Sequence, residues 1–388
     1  MTEMTSRQRV QAALEHRQPD RTPVFEYVLL EPLAGRLLGR PYGGDPVHWD
    51  ALVAELGWEG AVERNAADRV ALAVLLGHDL IYAWPVPPPP PRGAPAGEPP
   101  ESVDAAAAGA CAEAAPDSAR AAVPDSRVAE APPEDDPVAR LRRRNEAAAG
   151  APPPADEPLL IYPALQREMA RRGVDLPILA PAYAHGVWTD TDLMQTMVLE
   201  PAVADEHFRL ATRRSLHLVE RYAQLGLEQA GVGGDFAGNR PIISPQAYRS
   251  FIVPQVRRVS RRLHEHGMRA VNASDGDLWP VIDDFLLGCE VDGYLEIDLH
   301  AGMDLRRLKR RFGERITLYG NLDCGNVLSF ATPEQVRQHV VDCLEAGQGS
   351  GGHVLCASNA VTASVPLANY LSVVNAYRDY FNLPRFSP

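Results

Sequence analysis

The amino-acid sequence predicts an α/β fold: a single-domain (β/α)8 TIM barrel with one disordered Pro/Ala-rich insertion. Three observations carry the prediction. Short apolar strand patterns alternate with amphipathic helical patterns along most of the chain, which is the mark of a parallel sheet. The strand candidates number eight. One after another they end on polar residues, and in a barrel of parallel strands those ends share one mouth, where chemistry is done. The rival architecture, an open doubly wound sheet, wants a Gly-x-Gly-x-x-Gly turn after an early strand, and none is there.

Thr5 and Gln8 have capping-box spacing, and Val10, Ala13 and Leu14 make the buried stripe of a first helix that stops at Pro19-Asp20. V-F-E-Y, ending at Tyr27, is a strand candidate. Leu33 to Leu76 is mostly helical in pattern, and Leu80 to Trp84 is the second strand. Residues 1–84 are thus the first part of the barrel. Residues 85–127 open with a proline run, Pro87 to Pro91, and continue in Ala, Pro, Glu and Ser. That composition cannot bury a core and predicts a disordered insertion, with Cys111 inert inside it. Residues 128–388 supply the remainder of the barrel. A helix beginning near Asp135 has acids first and arginines later, as the helix dipole favours.

Beyond it a helix covers Leu160 to Arg172, and the strand P-I-L-A-P-A ends near Tyr183 and His185. A long helix spans Pro201 to Leu225, and L-E-Q-A-G-V-G leads to Gly234-Asp235. Ser244-Pro245 begins another helix, with serine as cap and proline at the first position. R-A-V-N-A ends at Ser274-Asp275, a helix runs from there to Leu287, and D-G-Y-L-E-I carries Glu296. A short basic helix from Asp304 to Arg311 precedes the strand around Ile316 and Leu318, which stops at Gly320-Asn321-Leu322-Asp323. Thr332 to Gln335 caps a helix whose buried face is Val336, Val340, Cys343 and Leu344. H-V-L-C then delivers Cys356 and Asn359, and a helix from Leu367 to Phe381 closes the fold.

The totals exclude several functions. The 388 residues carry a formal net charge of −13, which repels nucleic acid and anionic membranes. No apolar run is long enough to span a bilayer, and the first residues lack the apolar core of a signal peptide. The five scattered cysteines read as free thiols of a reducing cytoplasm.

The strand ends deliver Glu26, Tyr27, Trp84, Tyr183, His185, Asp235, Asp275, Glu296, Asn321, Asp323, Cys356 and Asn359. Carboxylates gathered in one cavity raise one another's pKa or need compensation, so the set reads as acid–base or hydrogen-bonding machinery. Helix capping is the competing reading for any one acid. A mixed zinc site of Cys324 and Cys356 with Glu296 or Asp275 is the metal alternative. Without Cys-x-x-Cys or His-x-Cys the reading assigns no metal ligands.

Several stretches resemble the uroporphyrinogen decarboxylase superfamily, which includes cobalamin- or pterin-linked methyltransferases on the same barrel. They are S-R-Q-R-V-Q-A-A-L-E-H-R-Q-P-D-R-T-P-V at the start, G-G-D-F with I-S-P-Q-A-Y-R-S-F-I-V-P, A-S-D-G-D-L-W-P-V-I-D-D, Y-G-N-L-D, and G-G-H-V-L through A-S-V-P-L-A-N. The resemblance takes in residues 1–84 and 128–383. It also marks departures. The arginines with which the decarboxylase grips carboxylates are replaced by F-E-Y-V-L-L-E-P-L-A-G-R, and Asn359 stands where that enzyme has a histidine near the end of its last strand. Ala273-Ser274-Asp275 stands where the zinc-dependent methyltransferases carry His-x-Cys, and Asn359 also takes the place of their third cysteine.

The resemblance therefore implies a divergent enzyme that transfers methyl groups with a corrinoid or folate-like carrier and without thiolate-bound zinc. Asp275, Glu296, Asp323 and His185 are its candidate catalytic residues. Tyr27, Trp84, Tyr183, Asp235, Asn321, Cys356 and Asn359 are its candidate substrate contacts. A small-molecule substrate and a corrinoid carrier protein are the implied partners, and a homodimer is compatible with the open mouth. The alternatives are decarboxylation of a porphyrinogen-like acid, with Asp275 or Asp323 stabilising a protonated pyrrole, and a non-catalytic barrel that binds a ligand or a corrinoid protein.

Overall fold

The computed structural model describes residues 3–90 and 136–387. Most of the predicted insertion, with Cys111, lies outside them. Seven parallel strands succeed one another around the sheet in chain order. They are β1 (Ile81–Tyr82), β2 (Ile178–Pro181), β3 (Gln229–Gly233), β4 (Arg269–Ala273), β5 (Gly293–Leu295), β6 (Thr317–Tyr319) and β7 (His353–Val354).

The expected first strand is not a regular one. Segment 22–29 closes the ring by single links: Phe25 N–H donates to Leu355 O, Leu355 N–H to Pro23 O, and Asp79 N–H to Val24 O. Pro23 has no N–H to offer a ladder, so the eighth stave is held by bridges at Val24–Leu355 and Leu29–Val361.

The helices form the outer layer. α1 (Ser6–Leu14) carries the predicted capping box between Thr5 and Gln8. α2 (Leu33–Leu38) and α3 (Trp49–Leu76) divide the long helical stretch, and α3 is kinked at Gly57. α4 (Pro137–Gly150), α5 (Ile161–Arg172), α6 (Thr191–Leu199) and α7 (Pro201–Gln224) come next. α8 (Pro245–Ala247) runs through a π-helical turn, Tyr248–Ile252, into α9 (Val253–Glu265). Instead of the helix expected before Leu287 there is a second π-helical turn, Asp284–Gly288. α10 (Leu305–Phe312), α11 (Val327–Phe330), α12 (Pro333–Gly347) and α13 (Leu367–Tyr380) complete the ring.

Two ends are built differently. α1 lies across the strand starts: Gly352 N–H donates to Ala13 O, and Val10 and Ala13 join the barrel interior beside Phe25, Leu179, Val271 and Leu295. Beneath that plug Arg9 and Arg21 clamp Asp79, with N–O distances of 2.6 and 2.7 Å. Higher up, Tyr319 Oη donates to Gln229 Oε1 across the interior at 2.6 Å. The mouth opens above that bridge.

Candidate functional site

Alternation along the strands decides what reaches the mouth, because every second side chain points into the barrel. On β1 the inward row is Leu80, Tyr82 and Trp84, and on β2 it is Leu179 with Tyr183 beyond the strand end. On β3 and β4 the same step of two carries Gly231 and Gly233 to Asp235, and Val271 and Ala273 to Asp275. Glu296 breaks the rule. Leu295 is the inward residue of β5, so Glu296 would face the helices. Its left-handed backbone (φ 70°) turns it instead toward Tyr27, with which it hydrogen-bonds. A non-glycine residue held in that region marks a position the surroundings insist on.

Two glycines let the mouth loops pack. A Cβ on Gly276 (φ 90°) would lie 1.9 Å from Gly238 O, and one on Gly234 (φ 137°) would lie 2.6 Å from Gly186 N. Close approach of these loops supports Asp235, whose backbone carbonyl accepts the N–H groups of Val187 and Trp188 at 2.7 and 3.0 Å.

Asp235, Asp275 and Glu296 form one electrostatic cluster. Burial raises the pKa of all three; at Asp275 the charges of Asp235 and Asp298 add to it, and at Glu296 those of Asp235 and Asp275. The hydrogen bond from Asn359 Nδ2 to Asp275 and that from Tyr27 to Glu296 oppose the shift without cancelling it. Among the described residues no arginine or lysine pairs with any of the three. Asp235 Oδ1 is buried without a hydrogen-bond partner. The Tyr294 hydroxyl, also buried and unpartnered, lies in the field of Asp275, Asp298, Glu296 and Asp277.

The other half of the mouth is aromatic. Tyr27 and Tyr82 have ring centroids 4.5 Å apart, Tyr82 and Trp84 5.3 Å, and Trp84 and Tyr183 6.2 Å. Tyr27 and Tyr82 are buried, whereas Trp84 and Tyr183 keep part of their surface open. The hydrogen bond between Tyr27 and Glu296 joins this row to the acids.

Other predicted residues go elsewhere. His185 is buried against α7, its Nε2 2.9 Å from Thr212 Oγ1, and burial pushes its pKa down to about 3. No hydrogen bond joins it to the acids among the described residues. Asp323 accepts the Asn326 N–H at 2.9 Å beside the start of α11, and its own N–H donates to His339 Nε2. The contact ties the turn that leads into α11, whose N-cap residue is Asn326. Asn321 donates to Met303 O and receives the Cys343 thiol. Cys356 does line the interior, its thiol kept protonated by burial and by Glu26 and Glu296. Glu26 turns outward to Ala357 N–H and the Tyr370 hydroxyl, and burial raises its pKa to about 7. The inference from sequence missed Tyr82, although its step of two from Trp84 signals it. It also missed Asp298, for which no signal was available.

The donor set does not suit thiolate-bound zinc. Ser274 and Asp275 occupy the strand end, and among the described residues no trio of His, Cys, Asp or Glu side chains is disposed around a metal position.

Comparison with known proteins agrees with the architecture. The family model for uroporphyrinogen decarboxylase (URO-D) matches residues 177–380. The chain is 27% identical over 146 residues to uroporphyrinogen decarboxylase from Coxiella burnetii, covering 36% of this chain and 38% of that protein. It is 32% identical over 148 residues to the enzyme from Methylibium petroleiphilum, covering 36% and 37%. The matches thus span under two fifths of these relatives' length. A methyltransferase from Methanosarcina mazei superposes with a TM-score of 0.63 at 17% identity, covering 98% of this chain and 100% of the other, a likeness of fold.

Proposed function

Because the chain belongs to the uroporphyrinogen decarboxylase family, we propose that its mouth is the active site of a methyl-transfer enzyme working with a corrinoid or folate-like carrier. The observation that supports this reading is the trio Asp235, Asp275 and Glu296, which no cation compensates among the described residues. A substrate rich in carboxylates is repelled by such a site. A substrate with a polar or positively charged head is held by it. The carrier, when bound, supplies the centre that gives or takes the methyl group. Zinc held by thiolates has no part in the scheme, since the strand end that would carry its ligands carries Ser274 and Asp275.

Asp235 and Asp275 hold the polar head of the substrate, and Asn359 fixes the Asp275 carboxyl by its hydrogen bond. Glu296, kept protonated by burial and neighbouring charge, gives its proton to the heteroatom that loses the methyl group. It takes that proton back in the reverse direction. Tyr27 orients Glu296. The test is demethylation of methylcobalamin, monitored by absorbance with thiols, phenols and amines as acceptors. Glu296→Gln is expected to lower the rate by about 10²- to 10⁴-fold. No absorbance change with any acceptor sinks the proposal.

Decarboxylation is the second reading, favoured by the identity of the curated relatives. There Asp275 would stabilise a protonated pyrrole. Loss of carboxylates from a porphyrinogen, resolved by chromatography, would replace the first reading with this one.

A further inference from the structure

The mouth has two unlike halves that meet at one hydrogen bond. Four rings from segment 22–29, β1 and β2 stand in an unbroken row, and three acids from the ends of β3, β4 and β5 stand beside them. Neither half explains the other. Aromatic rows in barrels need no acids, and acids without cations are costly to bury. What both halves attract is a weakly hydrated positive charge carried on carbon: ring faces through their quadrupoles, carboxylates through their charge.

We propose that the mouth binds an alkylated ammonium group, a quaternary or tertiary methylammonium, seated on the rings of Trp84 and Tyr183, with Tyr82 packed behind them, and neutralised by Asp235 and Asp275 beside the Glu296 carboxyl. The fate of the bound group rests on the methyl-transfer reading, but its binding does not. A bare metal dication satisfies acids and ignores rings. A primary ammonium takes directional hydrogen bonds and gains little from apolar faces. An alkylated ammonium uses both. It cannot donate strong hydrogen bonds to three carboxylates, so it fits a site where one carboxyl is already held by Asn359 and another by Tyr27. The buried Asp235 Oδ1, which has no partner within the described residues, is the oxygen left to face it.

The test is calorimetric titration of the full-length protein with choline and with 3,3-dimethylbutan-1-ol, which has the same shape without the charge. Choline is expected to bind at least about tenfold more tightly than the alcohol. Trp84→Leu and Asp275→Asn are each expected to weaken choline by about tenfold, and Trp84→Tyr to keep most of the affinity. Circular dichroism establishes that each variant is folded. Equal binding of the two probes, no choline binding, or displacement of choline by magnesium ion overturns the proposal. Choline binding without methyl loss in the methylcobalamin assay leaves this inference standing and removes the methyl-transfer reading. Methyl transfer to phenols or thiols alone, with no choline binding, does the reverse.

Discussion

Two groups of carboxylates, each with buried members, lie at opposite ends of the same strands. At the closed end Asp79, with no exposed side-chain surface, is gripped by Arg9 and Arg21, receives Ser6 Oγ at 2.8 Å and takes the N–H of Val24. Asp20 is held by Arg9 through two nitrogens. At the mouth Asp235, Asp275 and Glu296 have neutral donors and one another. Both groups carry the cost of desolvation, but among the described residues only the first is compensated by cations. Compensated acids are part of the scaffold. Uncompensated ones are kept against stability, which is the signature of a site that waits for a ligand.

The sharpest way to break this contrast is at the closed end. Asp79→Ala leaves two buried guanidinium groups without their shared partner. Unfolding in urea is expected to show a loss of about 3–5 kcal/mol. A loss under 1 kcal/mol would mean that the closed end is no more compensated than the mouth.

The next effect is on pH. Glu26 is raised from 4.5 to about 7 by burial, against the Ala357 N–H and the Tyr370 hydroxyl, with the Cys356 thiol nearby. The folded form holds its proton more tightly than the unfolded chain does. Stability is therefore retained below pH 4.5 and lost as pH rises to about 7. The expected loss is about 3 kcal/mol. Asp20 works in the opposite sense. Its pKa is lowered: burial pushes it up, but Arg9 and two backbone N–H groups outweigh that. The stability it contributes is present above its ordinary value and fades on acidification. Glu26→Gln is expected to flatten the fall between pH 4.5 and 7 in urea titrations and to leave the acid limb as it was. An unchanged slope would show that Glu26 is ionised throughout.

A smaller effect tests the mouth. Asp275→Asn removes a buried charge and keeps an acceptor for Asn359. Stability at pH 8 is expected to rise by about 0.5–2 kcal/mol while choline affinity falls. A loss of stability would show that a compensating cation binds there in the resting protein.

The sequence made the scaffold more legible than the site. The sequence put Asp235 and Asp275 at strand ends, and strand alternation, a local property, continues the inward rows of β3 and β4 to them. Glu296 reached that face for a reason no periodicity encodes, a left-handed backbone at a strand end. His185 and Asn321 keep the parity of the inward residues Tyr183 and Tyr319, yet their side chains are taken by tertiary partners, Thr212 on α7 and Cys343 on α12, that lie far along the chain. The irregular eighth stave is due to Pro23, which the strand pattern V-F-E-Y conceals.

Asp323 supplies the smallest effect and the cleanest control. It is buried, at 8% exposure, much as Glu296 is at 5%, and comes from the same kind of strand end. Its carboxylate, however, is engaged by the backbone N–H and side chain of Asn326. An acid satisfied by the turn before a helix has little left to give a ligand. Asp323→Ala is expected to cost about 1 kcal/mol in urea unfolding, the worth of a lost side-chain hydrogen bond. Choline affinity should remain within about twofold of the unsubstituted protein, a change under about 0.5 kcal/mol, since the Asp323 carboxylate is already engaged by Asn326. A tenfold loss of choline binding would place Asp323 in the mouth and dissolve the division between acids that serve the fold and acids that serve a ligand.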